Sequence, residues 1–193
     1  MKVFIQSNNK FKLDNKMNNI VLVTWKGGGN FGTCLQSYAL YRKLQDLGFS
    51  VRFLTGFPKK YSIKLYIKWI LSIIGIKHIR KGPKKSIQQI KRERFQQSCY
   101  KDVVVYTKHQ ERYFLKNTDC FITGSDQIWN TYYDFNPYYF LSFAKDKKRV
   151  AYASSIGTNS IKEDCKEDVR ELLLRFSHIG VREKLAVNVL TQL

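Results

Sequence analysis

The chain is poor in acids. Asp and Glu number 15 against 34 Lys and Arg, giving a formal net charge of +19 and a pI near 9.8. Such a balance points to an anionic partner: nucleic acid, an anionic membrane surface or phosphorylated small molecules. The four cysteines, Cys34, Cys99, Cys120 and Cys165, form no CxxC pair. That excludes metal-ligand spacing and a disulfide scaffold, and reads as reduced thiols of a cytoplasmic protein. Long hydrophobic runs are also lacking. The most apolar window, 61–79, is interrupted by Lys64 and Lys68, so it falls short of the ~20 residues that span a bilayer. The first 18 residues hold neither an apolar core nor a cleavage site and read as a polar extension rather than a signal peptide. No helix-turn-helix, zinc or RNP pattern accompanies the basic charge, which argues against nucleic acid. There are no internal repeats.

What the chain has is a βα rhythm. With 193 residues, 44% hydrophobic and 15% aromatic, it can build one good core. "NIVLVTW" (19–25) is a buried strand by pattern, and "GGGNFG" (27–32) a turn. Residues 33–48 carry helical spacing that ends at Gly48, and 49–56 read as a second strand. Strand, glycine turn, helix and strand make a βαβ unit, whose crossover implies a parallel sheet. Residues 59–101 then change character, with 13 Lys or Arg against one acid, Glu93. This basic excursion, about 58–100, is predicted as a mostly apolar helix with a lysine seam, a loop at 80–85 and a basic helix over 86–100. Its apolar–basic pattern suits a solvated face or contact with an anionic membrane surface through 61–79.

After the excursion the rhythm returns. A helix is predicted over 109–117 and strands over 119–124 and 177–181, with 149–157 a strand running into a small-residue turn. Further helices are predicted over 162–176 and from 182. The fold class is therefore α/β, an open parallel Rossmann-like sheet over 19–193. Ligands of such sheets bind beyond the carboxyl ends of the strands. Four segments crowd that edge: "KGGGNFG", "GSDQIWN", "SSIG" and "VRE".

Gly27, Gly29 and Gly32 satisfy GxGxxG after a strand. A dinucleotide unit would place an acid at the end of the next strand, and "RFLTGF" has none. An anion or substrate loop and a purely structural turn remain. Asp126 is the best candidate for acid–base chemistry, because small residues before it let a ligand approach and a carboxylate can take a proton from a sugar hydroxyl. It is equally suited to an Asx-type cap. Trp129 can stack on a sugar ring or fill the core, and for an isolated Trp the core is the better reading. Arg182 and Glu183 can serve a ligand or form a helix-start pair on the surface. No metal ligands are assigned.

Together "GGGNFGTCLQSYALYRKLQDLGFSV", "RFQQSCYKDVVVY", "DCFITGSDQIWN", "YYFLSFAKDKKRVAYASSIG" and "FSHIGVREK" resemble the polysaccharide pyruvyl transferase family, with "GSDQIWN" the most specific. The resemblance implies a glycosyltransferase-B-like enzyme of two Rossmann-type lobes. It also implies transfer of pyruvyl from phosphoenolpyruvate, as donor substrate with no cofactor, to sugar hydroxyls of a bacterial surface polysaccharide. The acceptor would be a sugar or lipid-linked saccharide, and the place of work the cytoplasm or the inner face of the membrane. Carried over, it puts Gly29, Asn30, Gly32, Ser125, Gln127, Trp129, Asn130, Arg182 and Glu183 at the substrate cleft. Asp126 is then the base or hydroxyl-orienting group. Family members are about twice this long, since each lobe needs roughly 100–200 residues. Only the N-terminal lobe is therefore expected here, with a second lobe or a partner subunit supplying the rest. Other readings are a sugar-nucleotide transferase of the same architecture and a non-catalytic basic module on a membrane surface.

Overall fold

The computed structural model describes residues 3–5, 18–25, 30–55, 86–100, 103–105, 111–133 and 135–193. In chain order its elements are β1 (Val3–Ile5), β2 (Asn19–Val23), α1 (Phe31–Asp46), β3 (Ser50–Thr55) and α2 (Ile87–Cys99). Then come β4 (Val103–Val105), α3 (Glu111–Lys116), β5 (Cys120–Thr123), β6 (Lys148–Ser154), α4 (Lys166–Leu173), β7 (His178–Val181) and α5 (Lys184–Thr191). Two short 3-10 turns, Pro137–Phe140 and Ser142–Ala144, lie between β5 and β6, and a third, Glu163–Cys165, leads into α4.

The strands form one sheet in the order β1-β7-β6-β5-β2-β3-β4. The six strands from β2 to β7 pair in parallel, as the βα rhythm predicts. The edge strand β1 is antiparallel to β7. It falls in the stretch 1–18, expected as a polar extension; its three residues, Val-Phe-Ile, favour a strand but are too few to show a period. Residues 26–29, with Gly27, Gly28 and Gly29, and most of the basic excursion, 56–85, lie outside the described residues, and with them the predicted membrane-surface segment 61–79. Among the described residues no helix is long and apolar enough to cross a membrane.

The central strands read as unbroken apolar runs because both sheet faces are covered there. On one face Val21, Val23, Phe121, Ala151 and Val181 join a core with Val169 and Leu172 of α4 and with Ala186 and Leu190 of α5. On the other face Ile20, Leu22, Val51, Phe53 and Ile122 pack with Tyr41 and Leu44 of α1 and with Tyr100. Helix α1 is started by Asn30, whose Oδ1 accepts from the Gly32 N–H at 2.8 Å. Helix α2 is started by a Ser86–Gln89 capping box. It has no buried residue of its own, but Phe95 meets Tyr38 edge-on at 5.8 Å and Gln96 donates to Cys34 Sγ. All four cysteines are free thiols, and burial pushes that of Cys120 up to about 12.

Arg149 ties the loop after the 3-10 turns to the sheet. It is 4% exposed and donates to the carbonyls of Leu141 at 3.1 Å, Arg175 at 3.3 Å and Lys145. Leu141 and Lys145 both hold positive φ, 56° and 46°, a conformation that non-glycine residues keep only where surroundings enforce it. One guanidinium holds both carbonyls, a fork that an ammonium cannot match. Arg149→Lys is expected to lower the unfolding free energy by about 2–3 kcal/mol, measured by urea denaturation.

Candidate functional site

The sheet reverses its winding between β2 and β5: β3 lies on the outer side of β2, whereas β6 and β7 follow on the outer side of β5. At such a switch point the loops diverge and leave a crevice. Thr24, just beyond β2, donates its hydroxyl to the Gly124 carbonyl at 2.5 Å, closing the two strand ends together. Asp126 lies two residues past Gly124, in the turn 126–129.

Gly124 is there for room. A Cβ at this position would stand 1.8 Å from the Tyr152 carbonyl oxygen and 2.8 Å from its carbon. Close contact between the β5 and β6 ends brings the Ser125 and Ser155 backbones together, where the Ser155 N–H donates to the Ser125 carbonyl at 3.1 Å. The Trp129 N–H donates to the Ser155 carbonyl at 3.1 Å. A bulge in β6 aims this segment: Ala151 pairs with Ile179 but Ser154 with Val181, so one extra residue is accommodated. Ala153 absorbs it at φ 52°, left-handed backbone that costs an alanine energy and collects at functional sites. Beyond the bulge the Arg182 N–H donates to the Ser154 carbonyl at 3.2 Å, which places "VRE" beside "SSIG".

Three charged side chains meet there. Arg182 Nη2 lies 2.6 Å from Asp126 Oδ1 and 3.2 Å from Glu183 Oε1. Ser155 donates its hydroxyl to the same Glu183 oxygen. Glu183 Oε2 is buried without a partner. The Asp126 carboxylate is thus engaged by a guanidinium from another strand end and does not cap its own turn. It keeps 39% of its side chain exposed, and Arg182 keeps 44%. The cluster is a surface constellation anchored from beneath.

The remaining candidates divide. Gln127 holds φ 48° and lies against Gly157, where a Cβ would meet its Cγ at 2.6 Å. Gly157 needs glycine twice over, for that contact and for its own φ of 63°. Ser125 is 1% exposed and its Oγ has no partner, so it lies under the cluster. Asn130 is 7% exposed and its Oδ1 accepts from the Tyr132 N–H at 3.0 Å. Its carbonyl oxygen builds the following turn instead of meeting a sugar. Asn30 and Gly32 form the α1 cap, and Gly29 lies outside the described residues.

Trp129 corrects the sugar-stacking expectation. It is 1% exposed, stacked on Phe140 at 5.1 Å with an 8° interplanar angle and edge-on to Phe176. Its indole N–H donates to the Tyr139 carbonyl at 3.1 Å. Both ring faces are spent on the core, so this residue roots the Asp126 turn and offers no face to a ligand. Ser155 is the residue that sequence reasoning left without a role. The run "SSIG" marked the segment, but which hydroxyl faces the cluster depends on the bulge, and a bulge at alanine leaves no glycine signal.

Among the described residues, no group of three or more His, Cys, Asp or Glu is arranged to hold a metal ion. Compared with known proteins, a family model described as Polysaccharide pyruvyl transferase matches residues 30–193. No curated protein and no solved structure matches the chain.

Proposed function

The chain belongs to the polysaccharide pyruvyl transferase family, and on that premise we propose that its strand-end cluster serves pyruvyl transfer from phosphoenolpyruvate to two hydroxyls of a saccharide. The acceptor in this reading is a bacterial surface polysaccharide or its precursor. The reaction balances with two hydroxyl protons. One hydroxyl oxygen attacks C2 of the enol while C3 gains a proton, the phosphate leaves, and the second hydroxyl closes the ketal. One hydroxyl proton ends on C3 in the balance and the other on the phosphate. The chemistry calls for a group that orients and deprotonates hydroxyls.

The observation that carries this reading is the Asp126–Arg182–Glu183 cluster at the carboxyl ends of β5 and β7. Its formal charge is −1, from two carboxylates and one guanidinium. Such a cluster attracts hydroxyl donors better than it attracts an anion, because Arg182 is already neutralised on both sides. Asp126 is the exposed acceptor and so takes the role of base or hydroxyl-orienting group. Arg182 holds it aimed, through the 2.6 Å contact to its Oδ1. The donor's phosphate and carboxylate need cations beyond this cluster.

The test is the identity of the leaving group. The enzyme at its full native length, given a surface saccharide, is expected to release inorganic phosphate from phosphoenolpyruvate. Release of a nucleoside diphosphate from nucleotide-sugars, with phosphoenolpyruvate inert, would instead establish a sugar-nucleotide transferase.

A further inference from the structure

We propose that Ser155 is the positioning residue of the cluster, a role that rests on the reading of Asp126 and Arg182 above. Ser155 is wholly buried, yet each of its polar groups reaches a different part of the site. Its N–H donates to the Ser125 carbonyl and its carbonyl accepts from the Trp129 N–H, both at 3.1 Å. These bonds hold the two sides of the turn that carries Asp126. Its hydroxyl donates to Glu183 Oε1, the oxygen that also accepts from Arg182. A closed ring results: Ser155, the Ser125–Asp126 backbone, Arg182, Glu183 and back to Ser155.

The hydroxyl does what the outer pair cannot do alone. Arg182 and Asp126 are both substantially exposed, and an exposed ion pair scarcely offsets the rotamer entropy of two side chains. A second anchor is needed to keep Arg182 in one place. Glu183 is that anchor only while its own carboxylate is fixed, and a hydroxyl on a carboxylate is among the stronger hydrogen bonds. The neighbouring hydroxyls of Ser125 and Ser154 are buried with no partner. The environment therefore does not bond hydroxyls indiscriminately, and that of Ser155 is aimed at the charge.

The readout is the Arg182 guanidinium by 15N NMR of the chain, assigned by its loss in Arg182→Lys, with thermal unfolding recorded alongside. In the wild type the guanidinium signals are expected to be resolved, with slow rotation. Ser155→Ala is expected to speed that rotation roughly tenfold, the loss of about one charge-assisted hydrogen bond. Ser155→Cys keeps nearly the same volume with only a weak donor, and is expected to release Arg182 in the same way should the alanine variant fail to fold. An Arg182 that stays restrained in a folded Ser155 variant overturns the proposal, as does one already free in the wild type. A wild-type enzyme that transfers no pyruvyl would sink the reading of the reaction and leave the guanidinium signal to decide Ser155.

Discussion

Gly124→Ala is expected to destabilise the fold by about 3 kcal/mol or more, the upper range for overpacking a closed site. A folded domain has only about 5–15 kcal/mol to lose. The reason is distance. The new Cβ would sit 1.8 Å from the Tyr152 carbonyl oxygen, and the obstacle is the backbone of the paired strand, which cannot swing aside like a long side chain. Relief requires the ends of β5 and β6 to part. That breaks the Ser125–Ser155 contact beneath Asp126 and disturbs the Thr24 hydrogen bond to the Gly124 carbonyl. Gly48 makes the control. It holds φ 88° with nothing within 4 Å of its Cβ position, so its need is conformational and asparagine, which tolerates that backbone, should be accepted there. Gly124→Asn should be as damaging as Gly124→Ala or worse. Urea midpoints of the four proteins decide the matter. A Gly124→Ala chain as stable as the wild type would mean that the strand ends are not packed as described.

The second large effect concerns chemistry. Asp126→Asn is expected to lower turnover roughly 10²–10⁴-fold, the range for removing a general base. It keeps the shape and one carbonyl acceptor but removes the charge that draws Arg182 to 2.6 Å. Stability should move by less than about 1 kcal/mol, since the pair is exposed. The split between lost turnover and retained stability is the signature of the assigned role. Equal loss in both would make Asp126 a structural residue, and unchanged turnover would remove it from the mechanism.

The physical basis of what the sequence disclosed is visible element by element. Strands β2 and β5 were legible because a strand covered on both faces reads as a continuous apolar run, and α1 because its 3.6-residue spacing ends in a glycine. The predicted basic helix over 86–100 is observed as Ile87–Cys99 with Ser86 as its cap. The strands at the two sheet edges were not legible: β1 and β4 have three residues each, too few to show a period. The run 138–144 is apolar enough for a strand, yet it forms parts of two 3-10 turns that bring Phe140 and Tyr138 against Trp129 and the sheet.

At the strand ends, the sequence grouped the candidates and left the contact between Asp126 and Arg182 undetermined. Asp126, Arg182 and Glu183 were candidates because all three stand at strand ends, and the parallel order β7-β6-β5 is what brings residues 56 positions apart into contact. For Trp129 the residue alone favoured the core, and only the family resemblance placed it at the substrate cleft. Only the stacking on Phe140 settles its direction. Ser155 was hidden by its neighbour: two adjacent serines normally face opposite ways, and the bulge at Ala153 decides which meets Glu183.

The most direct measurement of the central claim uses phosphoenolpyruvate labelled with 13C at C2, incubated with the full-length enzyme and a surface saccharide, followed by NMR of the recovered saccharide. The expected product carries a labelled quaternary ketal carbon bonded to two sugar oxygens, with phosphate released in equal amount, and no such signal with Asp126→Asn. Saccharide that stays unlabelled with the wild-type enzyme, or that gains the label equally with Asp126→Asn, would contradict that claim.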